Sequence, residues 1–370
     1  MSVQHPPCFF GEILIDVFPD GREVLGGAPF NVAWHLQGFG LSPLLISRVG
    51  ADAAGVRIRT AMAAWGMRLD GLQTDPVHPT GRVTVSLRDG EPSFDIVSDS
   101  AWDFIAADEL PDLIPTLVYH GTLALRNPVS AAALDALLNR HGAGPVAPRA
   151  GSATPFPGLD ATPPPVDRWV AARARPLRFV DVNLRPPWWH PEEAWRLLDG
   201  ADWAKLNQDE LAWLTPAPGR DPDPNFSAGQ GEAVSAGEAE PRSVAQPPTP
   251  PQAVEGAAIA RAAGALRARH GLAGLVLTRG AAGALGLLAS GEAAWVSPEP
   301  APLVDAVGAG DAFAAVILLG LLRDWPLSLT LERAQNFASR IVQIRGATAP
   351  DRALYQDLCL AWELGGGHLS

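Results

Sequence analysis

The chain has 370 residues, 47% of them hydrophobic and 18% charged, which is enough apolar material for one large α/β domain or two smaller ones. Its formal net charge of −12 argues against nucleic acid or an anionic membrane surface as a main partner. Cys8 and Cys359 lie near opposite ends without metal-ligand spacing, which disfavours a disulfide framework or a zinc site, and both are expected to be buried small hydrophobes.

In chain order, the opening residues lack a basic segment followed by an apolar core and a small-residue cleavage site, so the cytoplasm is the expected compartment. The run FFGEILID reads as a strand ending at Asp16, followed by a helix over about 29–38, the strand LLISRVG and a helix near 56–65. The stretch GRVTVSLRDGEPSFDIV alternates on both sides of Asp89-Gly90, the pattern of an antiparallel hairpin and of a flap or small accessory sheet. LRFVDVN, ADWAKLN, GLVLTRG and an apolar helix after Gly310 resume the earlier rhythm and predict a mainly parallel sheet covered by helices on both faces. The uncharged run 312–322 is too short to span a bilayer. Residues 142–165 and 216–256 are rich in Pro, Gly, Ala and Ser and read as disordered insertions, the first of them at the strand N-terminal edge.

Open α/β sheets bind ligands beyond the C-terminal ends of their strands. The polar residues expected there are Asp16; Asp181, Asn183 and Arg185; Lys205 and Asn207; Thr278 and Gly280; and Asp305. Singly each is an ordinary cap or turn residue; together they describe one polar crevice. The chain has no GxxxxGK[ST] and no GxGxxG between a strand and a helix, so a P-loop or a dinucleotide fingerprint is not supported. The segment GAGD offers another anion site: the N–H groups of Ala309, Gly310 and Asp311 are expected to be unpaired at the positive end of a helix dipole. Asp311 stands on the first turn, where it can accept a proton from an attacking hydroxyl.

The segments GEILID, GGAPFN, SRVGAD, DVNLRPPWW, KLNQDE, TRGAAG and DAVGAGD, in this order, resemble the ribokinase-like (pfkB) family of carbohydrate kinases, and within it the bacterial fructokinases. The resemblance implies a three-layer α/β/α kinase domain over 8–366 with a mostly parallel central sheet. A small β-sheet lid would come from 17–25 and 80–97, with homodimer contact through the lid. It implies ATP and Mg²⁺ as cofactors, with transfer of the γ-phosphoryl group to a primary hydroxyl. D-Fructose going to fructose 6-phosphate is the leading reaction, because DVNLRPPWW resembles the fructokinase version of its strand. Ribose, 2-keto-3-deoxygluconate or a nucleoside are alternative acceptors, and a noncatalytic sugar or nucleotide sensor would be expected to lack the base or the Mg²⁺ pair.

Residue by residue, the resemblance assigns Asp16, Gly26, Gly27 and Asn31 to the sugar hydroxyls. Asp311 would be the base, and Gly308, Ala309 and Gly310 the anion hole. Asn207 and Glu210 match an NxxE pair that organises Mg²⁺ and its waters, although the same spacing suits a helix-capping box. Arg185 and Lys205 would approach the phosphates, with Thr278, Gly280 and Gly283 bordering the nucleotide. Asp305, the backbone of Val307 and Gly346 would hold a monovalent cation, commonly K⁺, but Ala306 stands where the family usually has Thr. Trp102, Trp188 and Trp189 are expected to fill core rather than face the sugar.

Overall fold

A computed structural model of the chain describes residues 5–88, 91–139, 175–185, 187–215, 252–298 and 301–364. The expected insertion at 142–165, residues 216–251 of the second, and the Asp89-Gly90 turn lie outside the described residues. Residues 252–256, expected to belong to the second insertion, instead open a helix (Gln252–Arg269) whose Ala-rich sequence favours that conformation.

The strands are β1 (Pro7–Phe10), β2 (Leu14–Val17), β3 (Glu23–Gly26), β4 (Leu44–Gly50), β5 (Leu72–Asp75), β6 (Gly81–Arg88), β7 (Glu91–Ile96), β8 (Leu117–His120), β9 (Leu177–Asp181), β10 (Trp203–Asn207), β11 (Gly274–Thr278), β12 (Ala284–Leu288) and β13 (Ala293–Val296). Nine of them form one sheet in the order β13-β12-β11-β10-β9-β8-β1-β4-β5. Every neighbouring pair from β5 to β11 is parallel, and β12 and β13 add antiparallel strands at one edge. The other four make a separate small sheet, β3-β2-β6-β7, which contains the expected hairpin.

Among the described residues the α-helices are α1 (Ala28–Gly38), α2 (Ala53–Trp65), α3 (Pro128–Asn139), α4 (Pro191–Asp199), α5 (Gln208–Leu214), α6 (Gln252–Arg269), α7 (Ala309–Leu322), α8 (Leu327–Ile341) and α9 (Arg352–Ala361). Strand periodicity of two explains how they cover the sheet. Phe9, Leu45, Tyr119, Phe179 and Val276 point to one face and pack with α1, α2, α7, α8 and α9. Their sequence neighbours Cys8, Phe10, Leu44, Ile46 and Val118 meet α3 on the other face, where Val180, Ala204, Leu206, Leu275 and Leu277 meet α4, α5 and α6. Both faces of the parallel strands are buried, which is why these strands read as continuous apolar runs.

Two expectations are corrected. FFGEILID is not one strand: β1 ends at Phe10, Gly11 donates to the Ile46 carbonyl, and the chain crosses to β2 in the small sheet, so Asp16 belongs to that sheet. An apolar run has the same pattern whether it continues in one sheet or changes to another. Cys8 is fully buried, but Cys359 on α9 is only half-buried, packed against the rim of the core.

The apolar helix after the glycine turn, α7, is buried without interruption from Ala312 to Gly320, as a helix hydrophobic on all sides must be. Its N-terminus is thereby fixed at the C-terminal edge of the large sheet, facing the small sheet.

Candidate active site

One side of the crevice is built where β1 gives way to β2. Gly26 on β3 has no side chain because Asp16 on β2 lies where one would go: a Cβ there would stand 2.1 Å from Asp16 Oδ2. Gly27 follows with φ 108° as the N-cap of α1 and leaves the helix end without a side-chain cap of its own. The carboxyl of Glu12 substitutes from sixteen residues upstream, its Oε1 accepting from the Ala28 N–H at 3.3 Å. One turn into α1, the buried Asn31 donates from Nδ2 to Oδ2 of Asp311 at 2.7 Å, joining the two helix N-termini across the crevice.

Asp311 occupies the first turn of α7 behind the N-cap Gly308. Gly308 has φ 81°, and a Cβ on it would lie 2.4 Å from the Ala347 Cα, so position 308 requires glycine twice over. One expected donor is corrected: the Ala309 N–H turns back to the Ala306 carbonyl at 3.4 Å. Helix geometry leaves the N–H groups of Gly310 and Asp311 without intrahelical acceptors, so of the three expected donors these two remain able to meet an anion.

Three carboxyls of this crevice are held above the ordinary carboxylate range chiefly by burial. Asp311 is pushed up to about 6, with Asp181 raising it further while Asn31, Lys205 and Arg185 favour its ionised form. Asp16 is pushed up to about 7, with Asp311 and Asp305 adding to the effect and Arg185 opposing it. Glu12 is likewise pushed up to about 7; Asp311 adds, and Arg185 and the amides of Ala28 and of Glu12 itself oppose. Arg185, exposed beyond β9, is thus the cation common to all three.

Along the sheet edge, Lys205 is buried on β10, and its Nζ lies 2.9 and 3.0 Å from the two carboxylate oxygens of Asp181 on β9. Burial works against its charge, but Asp181, Glu210 and Asp311 outweigh that, so its pKa stays above the usual lysine value. The same Nζ is 3.7 Å from where a Cβ on Gly310 would stand, which sets the ammonium beside the glycine turn. Asn207 and Glu210 form a complete capping box for α5: Asn207 Oδ1 accepts from the Glu210 N–H and Glu210 Oε2 from the Asn207 N–H, at 2.9 and 2.8 Å. The second oxygen of Glu210 accepts from the Leu184 N–H at 2.9 Å, fixing the loop that carries Arg185.

Thr278 ends β11, and Gly280 and Gly283 bound the short turn to β12. The three expected cation-site residues do come together, because Asp305 accepts from the amides of Val307 and Gly346, each at 3.0 Å. Trp102 is fully buried as expected, while Trp188 and Trp189 are half-buried; Trp189 stacks on Trp213, and Arg126 lies between the rings of Trp102 and Trp188. Glu12 had no assigned role in the sequence reading; its signal was a lone carboxylate inside an apolar run. Tyr119, which donates to Asp181 Oδ2 at 2.9 Å, left no signal beyond an apolar strand.

The doubly covered parallel sheet, the small separate sheet and the acid on the first turn of a glycine-capped helix place a polar crevice at the C-terminal edge of the strands, where open α/β folds bind their ligands. The pfkB family carbohydrate kinase model matches residues 12–118 and 167–353, so the chain belongs to the pfkB family of carbohydrate kinases. It is 29% identical over 322 residues to a fructokinase from Klebsiella pneumoniae, covering 84% of this chain and 82% of the relative. Solved structures that share the fold include the following two. A fructokinase from Xylella fastidiosa with bound ATP matches at TM-score 0.67 and 19% identity, over 97% of this chain and 99% of that one. An aminoimidazole riboside kinase from Salmonella enterica, complexed with aminoimidazole riboside and an ATP analogue, matches at TM-score 0.66 and 19% identity, over 95% and 99%.

Proposed function

We propose that this carbohydrate kinase uses ATP to phosphorylate a primary hydroxyl of a sugar, with D-fructose the leading acceptor and another sugar or a nucleoside the alternative. The observation that carries the reading is Asp311, partly buried on the first turn of α7 and held from α1 by Asn31. The acceptor hydroxyl gives its proton to Asp311 while its oxygen bonds to the γ-phosphorus of ATP. The bond from that phosphorus to the β–γ bridging oxygen breaks, and ADP leaves. Positioning and charge stabilisation dominate such a transfer. The amides of Gly310 and Asp311, with Gly308 shaping the turn, meet the developing charge, and Lys205 and Arg185 add positive charge. Asp16, Gly26, Gly27 and Asn31 hold the sugar hydroxyls.

Mg²⁺, when bound, neutralises phosphate charge during the transfer. Among the described residues no group of three or more His, Cys, Asp or Glu is arranged to hold a metal. Both oxygens of Glu210 already accept amides, a donor set that fits an ion held mainly by phosphates and water, with Asn207 and Glu210 orienting that water. Thr278, Gly280 and Gly283 border the nucleotide. Asp305, Val307 and Gly346 form the candidate K⁺ site, weakened by Ala306 in place of a hydroxyl residue. The unit is a single kinase domain over 8–366, and the small sheet is its lid and a surface for homodimer contact. Among the described residues no helix is long and apolar enough to cross a membrane; the proposed compartment is the cytoplasm.

The test is an ATP-consumption screen over fructose, ribose, glucose, 2-keto-3-deoxygluconate and nucleosides, with Asp311→Asn alongside. Fructose is expected to give the highest kcat/KM, and loss of the base is expected to lower kcat by roughly 10²–10⁴-fold. Equal turnover on all acceptors, or none on fructose, overturns the fructose assignment, and near-parental turnover by Asp311→Asn overturns the base.

A further inference from the structure

We propose that Glu12 is a positioning residue of the acceptor site: by capping the first turn of α1 from the β1–β2 crossing, it sets where Asn31 meets Asp311. The constraint originates at Gly27. Most helices take their cap from a Ser, Thr, Asp or Asn at the N-cap, but a side chain at 27 is barred, since a Cβ there would lie 2.4 Å from the Glu12 carbonyl oxygen. No acidic residue stands in the first turn of α1 either. The backbone of Glu12 thus excludes a local cap, and its side chain supplies one from a different element, at Ala28 N.

The cap sits at one end of a short chain of contacts. Ala28 begins the turn, the Asn31 N–H closes it on the Gly27 carbonyl at 2.9 Å, and the Asn31 side chain reaches Asp311 Oδ2. Glu12 is 3% exposed, and both ends of the chain carry a buried oxygen with no partner among the described residues, Oε2 on Glu12 and Oδ1 on Asn31. Orphaned buried oxygens are costly, and a cap serving stability alone has no use for them. The charged groups coupled to Glu12 are Asp311 on α7 and Arg185 beyond β9, the same groups that act on the rest of the acceptor side. A shift of the α1 terminus would carry Asn31 away from the base, and sub-ångström misplacement is enough to slow a positioned proton transfer.

Two conservative variants of the full chain separate reach from charge. Glu12→Gln keeps the length and an oxygen for the Ala28 N–H; Glu12→Asp keeps the carboxylate but withdraws it by one methylene. One readout is the side-chain amide resonance of Asn31 in ¹⁵N-labelled protein, identified by its loss in Asn31→Asp; the other is kinetics with acceptor and ATP varied separately. The expected result is that Glu12→Gln keeps the parental Asn31 resonance and kcat within threefold. Glu12→Asp is expected to displace the resonance and lower kcat at least tenfold, with the KM for ATP unchanged. If Glu12→Asp is parental in both readouts, or if Glu12→Gln loses as much as Glu12→Asp, the positioning role is overturned. The kinetic readout rests on the kinase reading and the resonance does not, so an unmoved resonance counts against Glu12 alone, while a parental chain inactive on every acceptor counts against the function alone.

Discussion

Lys205 and Asp181 face each other directly across β10 and β9, with Nζ within 3.0 Å of both carboxylate oxygens and the Tyr119 hydroxyl donating to Oδ2. Both side chains are almost wholly removed from water, so each charge depends on the other. Breaking such a pair typically costs about 3–5 kcal/mol, whereas replacing both members with apolar groups costs far less. Lys205→Met and Asp181→Leu are therefore each expected to destabilise the chain by about 3 kcal/mol or more in urea unfolding, and the double variant by clearly less than their sum. Additive losses would mean that the two charges do not hold one another.

The same pair shows where sequence reading reaches its limit. Strand ends are legible, because apolar runs announce the strands and Asp181, Lys205, Asn207 and Thr278 follow at fixed offsets; the structure sets all four along one sheet edge. The hairpin is legible too, since half-buried strands must alternate. Contacts between distant segments are another matter. Asn31 and Asp311 are 280 residues apart, and nothing in either neighbourhood says that the amide of one meets the carboxylate of the other. The change of sheet at Gly11 and the return of the Ala309 N–H to Ala306 depend on backbone dihedrals that residue identity does not specify.

The three raised carboxyls make activity and stability respond to pH in opposite directions. With deprotonated Asp311 as the proposed base, kcat is expected to rise with pH through about 6. For stability, Glu12, Asp16 and Asp311 bind protons more tightly when folded than unfolded, so between the unfolded carboxylate range near pH 4 and the folded values of about 6 to 7 the native state holds more protons. Their contribution is then fully present at low pH and lost as pH rises through that window. Asp16→Asn is expected to flatten this part of the stability curve and to gain most at pH 8, as read by denaturant midpoints from pH 5 to 8. A parental contribution that grows with pH over this range, and is unaltered by Asp16→Asn, would refute the sign.

Two glycines with nearly the same dihedral separate backbone strain from steric exclusion. Gly21 has φ 80° and open space where a Cβ would go; Gly308 has φ 81° and the Ala347 backbone 2.4 Å away. Gly21→Ala is expected to cost about 1–2 kcal/mol, the ordinary penalty for an L-residue in the left-handed region. Gly308→Ala should cost at least about 2 kcal/mol more and, because it moves the first turn of α7, lower kcat beyond what unfolding explains. Equal penalties at the two positions would show that the Ala347 segment yields and that the turn is not sterically locked.

Arg126 ties the small sheet to the body. Its guanidinium lies over the Trp102 ring at 4.2 Å and the Trp188 ring at 4.6 Å, pairs with both oxygens of Asp103 at 2.7 Å, and donates from Nη2 to the Val97 carbonyl just beyond β7. Arg126 and Asp103 are both nearly inaccessible, so Arg126→Ala leaves a buried carboxylate unpaired and is expected to cost about 3–5 kcal/mol. Lysine carries the same charge but cannot stack flat between two indoles or grip a carboxylate with two parallel N–H groups. Arg126→Lys is therefore expected to recover less than half of the loss. The local consequence is separable from the global one: with the Val97 contact gone, amides of β6 and β7 should exchange with solvent faster than those of β8 and β9 under native conditions. Uniform acceleration across both sheets would show that Arg126 supports the core as a whole, and full recovery by lysine would show that charge alone holds the small sheet in place.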